Sequence, residues 1–362
     1  MRRQTLVVLM VGIVLALAGT PSAVGSSMHP SNTGAMMLMG INRQGMQYPD
    51  WTNYNINTQD FDYMTTVFPR MNCVQLDLKL NLLMPRSLEG DYGTINEAYA
   101  TALDDWVRWS APKGTKIIMG LHYWSTNYYG YYPADLFTNP ERLKGVQAFY
   151  TFLARRYRDS PNMIGFDIVN EVRVLQPSIA QYKSFVEATI DAFRQVNPDL
   201  IAYVQTIDFS SRQSFSWIET TPIERPNVVY VTHLYCHNWT TGAWDLDTPW
   251  AQYYINGDYK KAFNLLKDAL YARFGRLKDL GYNVRVGEFA APLNTPGSLR
   301  YLQDVLSIFD SWGISWAYYS WGTNVPNVLN HLVKGGSDWQ TLNPQASVLE
   351  IYVGAMAPAR RS

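Results

Sequence analysis

Two glutamates close short apolar runs in this chain. Glu171 follows IGFDIV and Asn170, and Glu288 follows VRVG. A carboxylate at the end of a buried run calls for a reason, because an unpaired charge is costly to bury. Two facing carboxylic acids, one neutral and one ionised, are the equipment for cleaving a glycosidic bond. One protonates the leaving oxygen while the other attacks the anomeric carbon. The Asn-Glu dipeptide alone says little. A second copy, Asn96-Glu97, opens the helical pattern in DYGTINEAYATALDDW, where a carboxylate simply suits a helix N-terminus. Asn170-Glu171 differs because it ends a strand-like run and because similar closures occur elsewhere.

Those closures need a frame. Eight apolar runs read as strands: MMLMGIN (36–42), CVQLDL (73–78), TKIIMGLH (115–122), MIGFDIVN (163–170), LIAYVQT (200–206), VVYVTHLY (228–235), NVRVGE (283–288) and ISWAYYS (314–320). Helical patterns separate most of them, over Glu97–Trp109, Pro140–Arg158, Ile179–Gln195, Lys260–Leu280 and Ser298–Trp312. The stretch between the fifth and sixth runs is shorter and less helical. Strand–helix alternation on this scale predicts an α/β fold, a single (β/α)8 TIM barrel. The alternative is an open doubly wound sheet. A dinucleotide-binding version of that sheet carries GxGxxG after its first strand, and GINRQG is not that motif.

Chemistry in a barrel sits at the C-terminal ends of the strands. Those ends supply Asn42 and Arg43, Gln75 and Asp77, His122, Asn170 and Glu171, Thr206, His233 and Tyr235, Glu288, and Ser320 and Trp321. Side chains alternate along a strand. Val229, Val231, His233 and Tyr235 therefore share a face, as do Ile118, Gly120 and His122. Gln75, Asp77 and Lys79 oppose Val74, Leu76, Leu78 and Leu80. Strands 4 and 7 lie across the barrel mouth, so Glu171 and Glu288 can face one another over a bound molecule.

Composition narrows the partners. The 362 residues carry no formal net charge, which argues against nucleic acid, since that partner requires a basic surface. The five histidines form no HExxH pattern and two cysteines cannot build a four-cysteine zinc site. No metal or organic cofactor is expected. Cys73 and Cys236 fall on strands 2 and 6, far apart, and are expected to be free and buried. Arg2 and Arg3 precede an apolar run from Leu6 to Ala18 and then small residues. This is a secretory pattern. Residues 1–27 are expected to be a signal peptide and short leader, 28–362 the catalytic barrel, and the product a secreted monomer with no membrane attachment after cleavage.

IVNE at strand 4, HLY at strand 6, GEF at strand 7 and SW at strand 8 resemble the retaining glycoside hydrolases of clan A, most of all family 5, the cellulase family. The resemblance covers nearly all of the mature chain, and GINRQG at strand 1 fits it. It implies that Glu171 is the general acid/base and Glu288 the nucleophile. Asn170 would bind the sugar 2-hydroxyl, and Tyr235 would orient Glu288. His122 and His233 would line the subsites around the scissile bond, and Trp321 would form a floor under the sugar. The family typically has Arg in an NTVRIP-like stretch at strand 2, supporting the ionised nucleophile. This chain has NCVQLDL, with Gln75 at that position. Arg43 next door is a candidate for the missing charge.

The loops above the strands are rich in aromatics, among them Tyr48, Trp51 and Tyr54, HYWSTNYYGYY and HNWTTGAW. Trp124 and Trp239 are the leading candidates for stacking on sugar rings. A long β-linked polysaccharide is the expected partner, with cellulose or another β-1,4-glucan first. A mannan-degrading enzyme or another clan A glycosidase or transglycosylase is second. A carbohydrate-binding barrel without turnover would lack one of the glutamates, and both are present. A metal-dependent hydrolase would need HxH near strand 1, where GIN stands.

Overall fold

A computed structural model describes residues 37–43, 46, 58, 61–62, 65, 68–125, 132–172, 177–207, 215–237, 243–292, 295–321, 333–335 and 338–340. The expected leader at residues 1–27 lies outside these. Eight parallel strands close into a barrel: β1 (Met39–Arg43), β2 (Cys73–Lys79), β3 (Lys116–Tyr123), β4 (Met163–Asp167), β5 (Ile201–Gln205), β6 (Val228–Leu234), β7 (Val284–Phe289) and β8 (Ser315–Trp321). Each pairs with the next, and β8 returns to β1. The long helices are α1 (Glu97–Ser110), α2 (Pro140–Arg156), α3 (Ile179–Arg194), α4 (Tyr259–Leu270) and α5 (Ser298–Trp312). A short antiparallel pair, Val333–Gly335 with Asp338–Gln340, stands apart from the barrel. Among the described residues no helix is long and apolar enough to cross a membrane.

Local chemistry sets the helix starts. Asn96 accepts the Tyr99 amide and caps α1, so the Asn96-Glu97 pair is a helix start, as its setting suggested. Asn139 caps α2 ahead of Pro140, a residue pre-shaped for a first turn. Ser178 and Gln181 form a reciprocal capping box on α3. The expected single helix over Lys260–Leu280 is instead α4, a π-helical turn at Tyr271–Gly275 and a last turn at Arg276–Asp279. Between β5 and β6, among the described residues, lies the short helix Ser216–Thr220.

The core has two compartments. Outward strand residues such as Leu76, Leu78, Met119, Leu121 and Phe166 pack under the helices. Inside the barrel, Leu38, Cys73, Ile118, Tyr203 and Val231 form a separate apolar plug. One step further along the same inward faces the lining turns polar, with Gln75, Asp77, His122, Gln205 and His233 all buried. Cys73 and Cys236 are both buried and free.

Candidate active site

The β4 ladder stops at Asp167, earlier than the apolar run suggested. Ile168 and Val169 then run buried beneath the mouth. Asn170 donates its amide to the Leu121 carbonyl at 3.0 Å, and Tyr132 donates its hydroxyl to the Asn170 carbonyl at 2.9 Å. Glu171 takes a left-handed backbone conformation, with φ 40°, which is strained for a residue with a Cβ. Its amide donates to Gln205 Oε1 at 2.8 Å.

Glu288 reaches the mouth by a different device. On β7, Arg285 faces the barrel interior, while Val286 packs outward. Strict alternation would send Glu288 outward too. Thr232 pairs with Val286 and His233 with Glu288, so one step on β6 spans two on β7. On the other side, Val286 pairs with Trp316 and Phe289 with Tyr318, three steps against two. Gly287 is the extra residue, a bulge that flips Glu288 inward beside His233. Asn42 holds it there, donating Nδ2 to the Gly287 carbonyl at 2.8 Å.

Glu171, His233 and Glu288 converge so that one ligating atom from each lies within 4.8 Å of the others. His233 Nδ1 sits 2.9 Å from Glu171 Oε1 and 3.7 Å from Glu288 Oε2. Tyr235 donates its hydroxyl to Glu288 Oε2 at 2.6 Å. Glu288 Oε1 and Asn170 Nδ2 are buried without a hydrogen-bond partner among the described residues. His122 lies nearby on β3, its Nδ1 3.3 Å from Asp77 Oδ2 and its ring stacked on Tyr123.

Burial pushes the Glu288 carboxyl up to about 8. The His233 charge opposes this, the Glu171 and Asp77 charges add to it, and the Tyr235 hydrogen bond pulls back. Burial disfavours the cationic form of His233, yet Glu288 and Glu171 carry its pKa above the ordinary value. These groups hold their protons jointly.

Several expected contacts fall elsewhere. Gln75 and Asn42 were expected at the substrate, but both are fully buried and engaged with protein, Gln75 with Arg285 and Asn42 with the β7 bulge. Trp124 is no sugar platform. It is fully buried in the core, against Gly145 of α2 and within 5.5 Å of the Arg142 guanidinium. Arg43 and Trp321 pair at the ends of β1 and β8, but their side chains lie outside the described residues, as does Trp239. Three residues of the buried lining escaped the sequence reading: Asp167, Gln205 and Arg285. The inward parity of Arg285, opposite Val284 and Val286, was the available signal.

The family model described as Cellulase (glycosyl hydrolase family 5) matches residues 31–325. The chain belongs to the cellulase family, glycosyl hydrolase family 5. Members of this family are retaining glycoside hydrolases. Endoglucanase E-5 of Thermobifida fusca is 21% identical over 60% of this chain and 42% of its own length. Endoglucanase Z of Dickeya dadantii is 35% identical over 24% of this chain and 20% of its own. The chain thus aligns with less than half the length of these curated relatives. In fold it is similar to endoglucanase Cel5A of Pseudomonas stutzeri, with TM-score 0.68 and 16% identity, covering 91% of this chain and 97% of that one. An endocellulase from Pyrococcus horikoshii, solved with cellotetraose, superposes with TM-score 0.63 at 16% identity over 88% and 93%.

The bulge makes a sharp demand within this family member. A Cβ on Gly287 would lie 2.5 Å from Val231 Cγ1 and 3.3 Å from His233 Nε2. Gly287→Ala is expected to shift Glu288 by a fraction of an ångström or more, and misplacement on that scale costs about 10²-fold in rate. Steady-state kinetics with circular dichroism on the same variant should show kcat falling in a protein that stays folded.

Proposed function

We propose that the chain is a secreted endo-acting β-glycosidase that hydrolyses β-1,4-linked glucan by double displacement. Glu288 attacks the anomeric carbon and Glu171 protonates the leaving oxygen. Glu171 then acts as base on the water that releases the sugar, and the β configuration is kept. The observation that carries this reading is the closeness of the two carboxyl groups, with oxygens inside 4.8 Å. Retaining enzymes hold them about 5–5.5 Å apart, whereas inverting enzymes need roughly 6.5–9.5 Å to admit a water between.

The surrounding contacts suit the assigned roles. Tyr235 ties down one oxygen of Glu288 and leaves Oε1, which has no donor among the described residues, as the attacking atom. Asn170 presents Nδ2 likewise, as a donor to the sugar 2-hydroxyl. Glu288 and its neighbour share too little water for both to be charged without help, so a proton is retained in the pair. Forming the glycosyl ester removes the Glu288 charge, so Glu171, having given its proton to the leaving oxygen, stays ionised, as its second role as base requires. Glucan leads as substrate because the relatives are endoglucanases and one was solved with cellotetraose.

Reducing-sugar release from carboxymethyl-cellulose, barley β-glucan, mannan and xylan tests the reading. β-Glucan and carboxymethyl-cellulose are expected to be cleaved, and Glu288→Gln is expected to lose at least ~10⁴-fold in kcat. Activity that survives Glu288→Gln would end the assignment.

Tyr235→Phe probes the nucleophile's ionisation. The hydroxyl favours the charged form of Glu288, so its loss raises the carboxyl further. The acidic limb of the kcat/KM profile is expected to move to higher pH, and an unmoved limb would separate Tyr235 from the nucleophile.

Secretion rests on Arg2, Arg3 and the apolar run from Leu6 to Ala18. N-terminal sequencing of the exported protein is expected to begin between about residue 20 and residue 28.

A further inference from the structure

Arg285 is fully buried on the inward face of β7. It donates Nη1 to Gln75 Oε1 at 3.0 Å, and its guanidinium lies 5.3 Å from the centre of the Tyr203 ring. A buried cation costs several kcal/mol to desolvate, and an aliphatic side chain would fill a barrel interior without that cost. The cation orients what it touches. Gln75 turns its carbonyl to Arg285 and its amide nitrogen toward Asp167 Oδ2 at 3.5 Å. Reversing that amide would set donor against donor.

The direction propagates. Gln205 donates Nε2 to the same Asp167 oxygen at 2.9 Å and to Asn170 Oδ1 at 2.8 Å. Its own Oε1 is thereby turned to accept the Glu171 amide at 2.8 Å. A flipped Gln205 would face oxygens with an oxygen and the amide with an amide. The bond to Asn170 Oδ1 also decides that Asn170 points Nδ2 away from Gln205. Arg285, Gln75, Asp167 and Gln205 are each no more than 1% exposed, so substrate does not reach them. The Arg285 charge also offsets part of what burial does to Asp167, whose carboxyl is pushed up to about 6.

We propose that Arg285, Gln75, Asp167 and Gln205 form a buried positioning relay that holds Glu171 in its left-handed turn and so aims the general acid. The relay rests on the assignment of Glu171 as acid under Proposed function. Glu288 is held by Tyr235 and the Asn42-clamped bulge, neither of which belongs to the relay.

Leaving-group dependence tests it. 2,4-Dinitrophenyl β-cellobioside loses a phenolate that needs no proton, whereas phenyl β-cellobioside needs the acid. With Glu171→Ala as reference, kcat/KM on the phenyl substrate is expected to fall about 10²-fold or more, and on the dinitrophenyl substrate far less. Gln205→Met is expected to show the same split at roughly tenfold or more, with Gln205→Ala in its place if the methionine variant does not fold. Arg285→Gln should show the split, and the exchanged pair Gln75→Arg with Arg285→Gln should reduce it, because the cation and its hydrogen bond are restored with partners swapped. Equal losses on both substrates from a folded Gln205 variant would overturn the relay while leaving the acid in place. No split in Glu171→Ala would overturn the acid assignment and the relay with it.

Discussion

Two carboxyl groups with oxygens inside 4.8 Å, one of them almost wholly buried, cannot both carry full charge without compensation. The upper barrel is organised around that constraint. His233 stands between Glu171 and Glu288 and answers both. Tyr235 donates to one of them. The result is a cluster that titrates as a unit, in which a charge removed from one member changes the proton affinity of the next. The double displacement proposed here would use that property directly. One carboxyl would give a proton in the first step and take one in the next, and an ester formed at Glu288 would supply the change in field between them.

Bringing the pair together takes two distortions of regular structure. A strand has a period of two, and VRVGE puts Glu288 in phase with Val284 and Val286, which pack outward. Gly287 breaks the phase by one residue and Asn42 clamps its carbonyl. On the opposite side, the chain leaves β4 and Glu171 accepts a positive φ. Neither distortion is locally favourable. Each is offset by a hydrogen bond to a buried side chain of another strand, Asn42 on β1, across β8 from the bulge, and Gln205 on the adjacent β5. The catalytic spacing is therefore a property of the whole ring rather than of the two motifs that contain the glutamates.

This explains what the sequence disclosed. Buried parallel strands read as apolar runs, and a polar residue ending such a run is conspicuous, so the barrel, Glu171, Glu288, His233 and Tyr235 could be located from spacing and resemblance. Gln75 was placed on the polar face of its strand and Asn42 at a strand end, but both were assigned to the wrong depth. Alternation tells which face a residue takes and not how near the mouth it stops. Trp124 was misread because its burial depends on Gly145, a helix residue 21 positions away whose missing Cβ admits the indole. Arg285 passed unnoticed because a lone arginine in a strand usually faces water; its parity against Val284 and Val286 pointed inward, and its partner across the barrel, Gln75, shows it as a buried cation.

The position of that cation has a consequence for the chemistry. Family resemblance puts an arginine at strand 2, where it would support the ionised nucleophile. Here strand 2 offers the neutral Gln75, and the guanidinium comes from strand 7, with its hydrogen bond passing through Gln75 toward Asp167 on the acid side. The Arg285 charge thus bears on the Glu171 side of the pair. Among the described residues Glu288 has the neutral Tyr235 phenol and His233 beside it. Burial first, and then the Glu171 and Asp77 charges, push its carboxyl up to about 8 against the His233 charge. The ionisation of Glu288 is thereby tied to the charges of His233 and Glu171, the first favouring it and the second opposing it, and in the proposed mechanism that ionisation is the condition for attack.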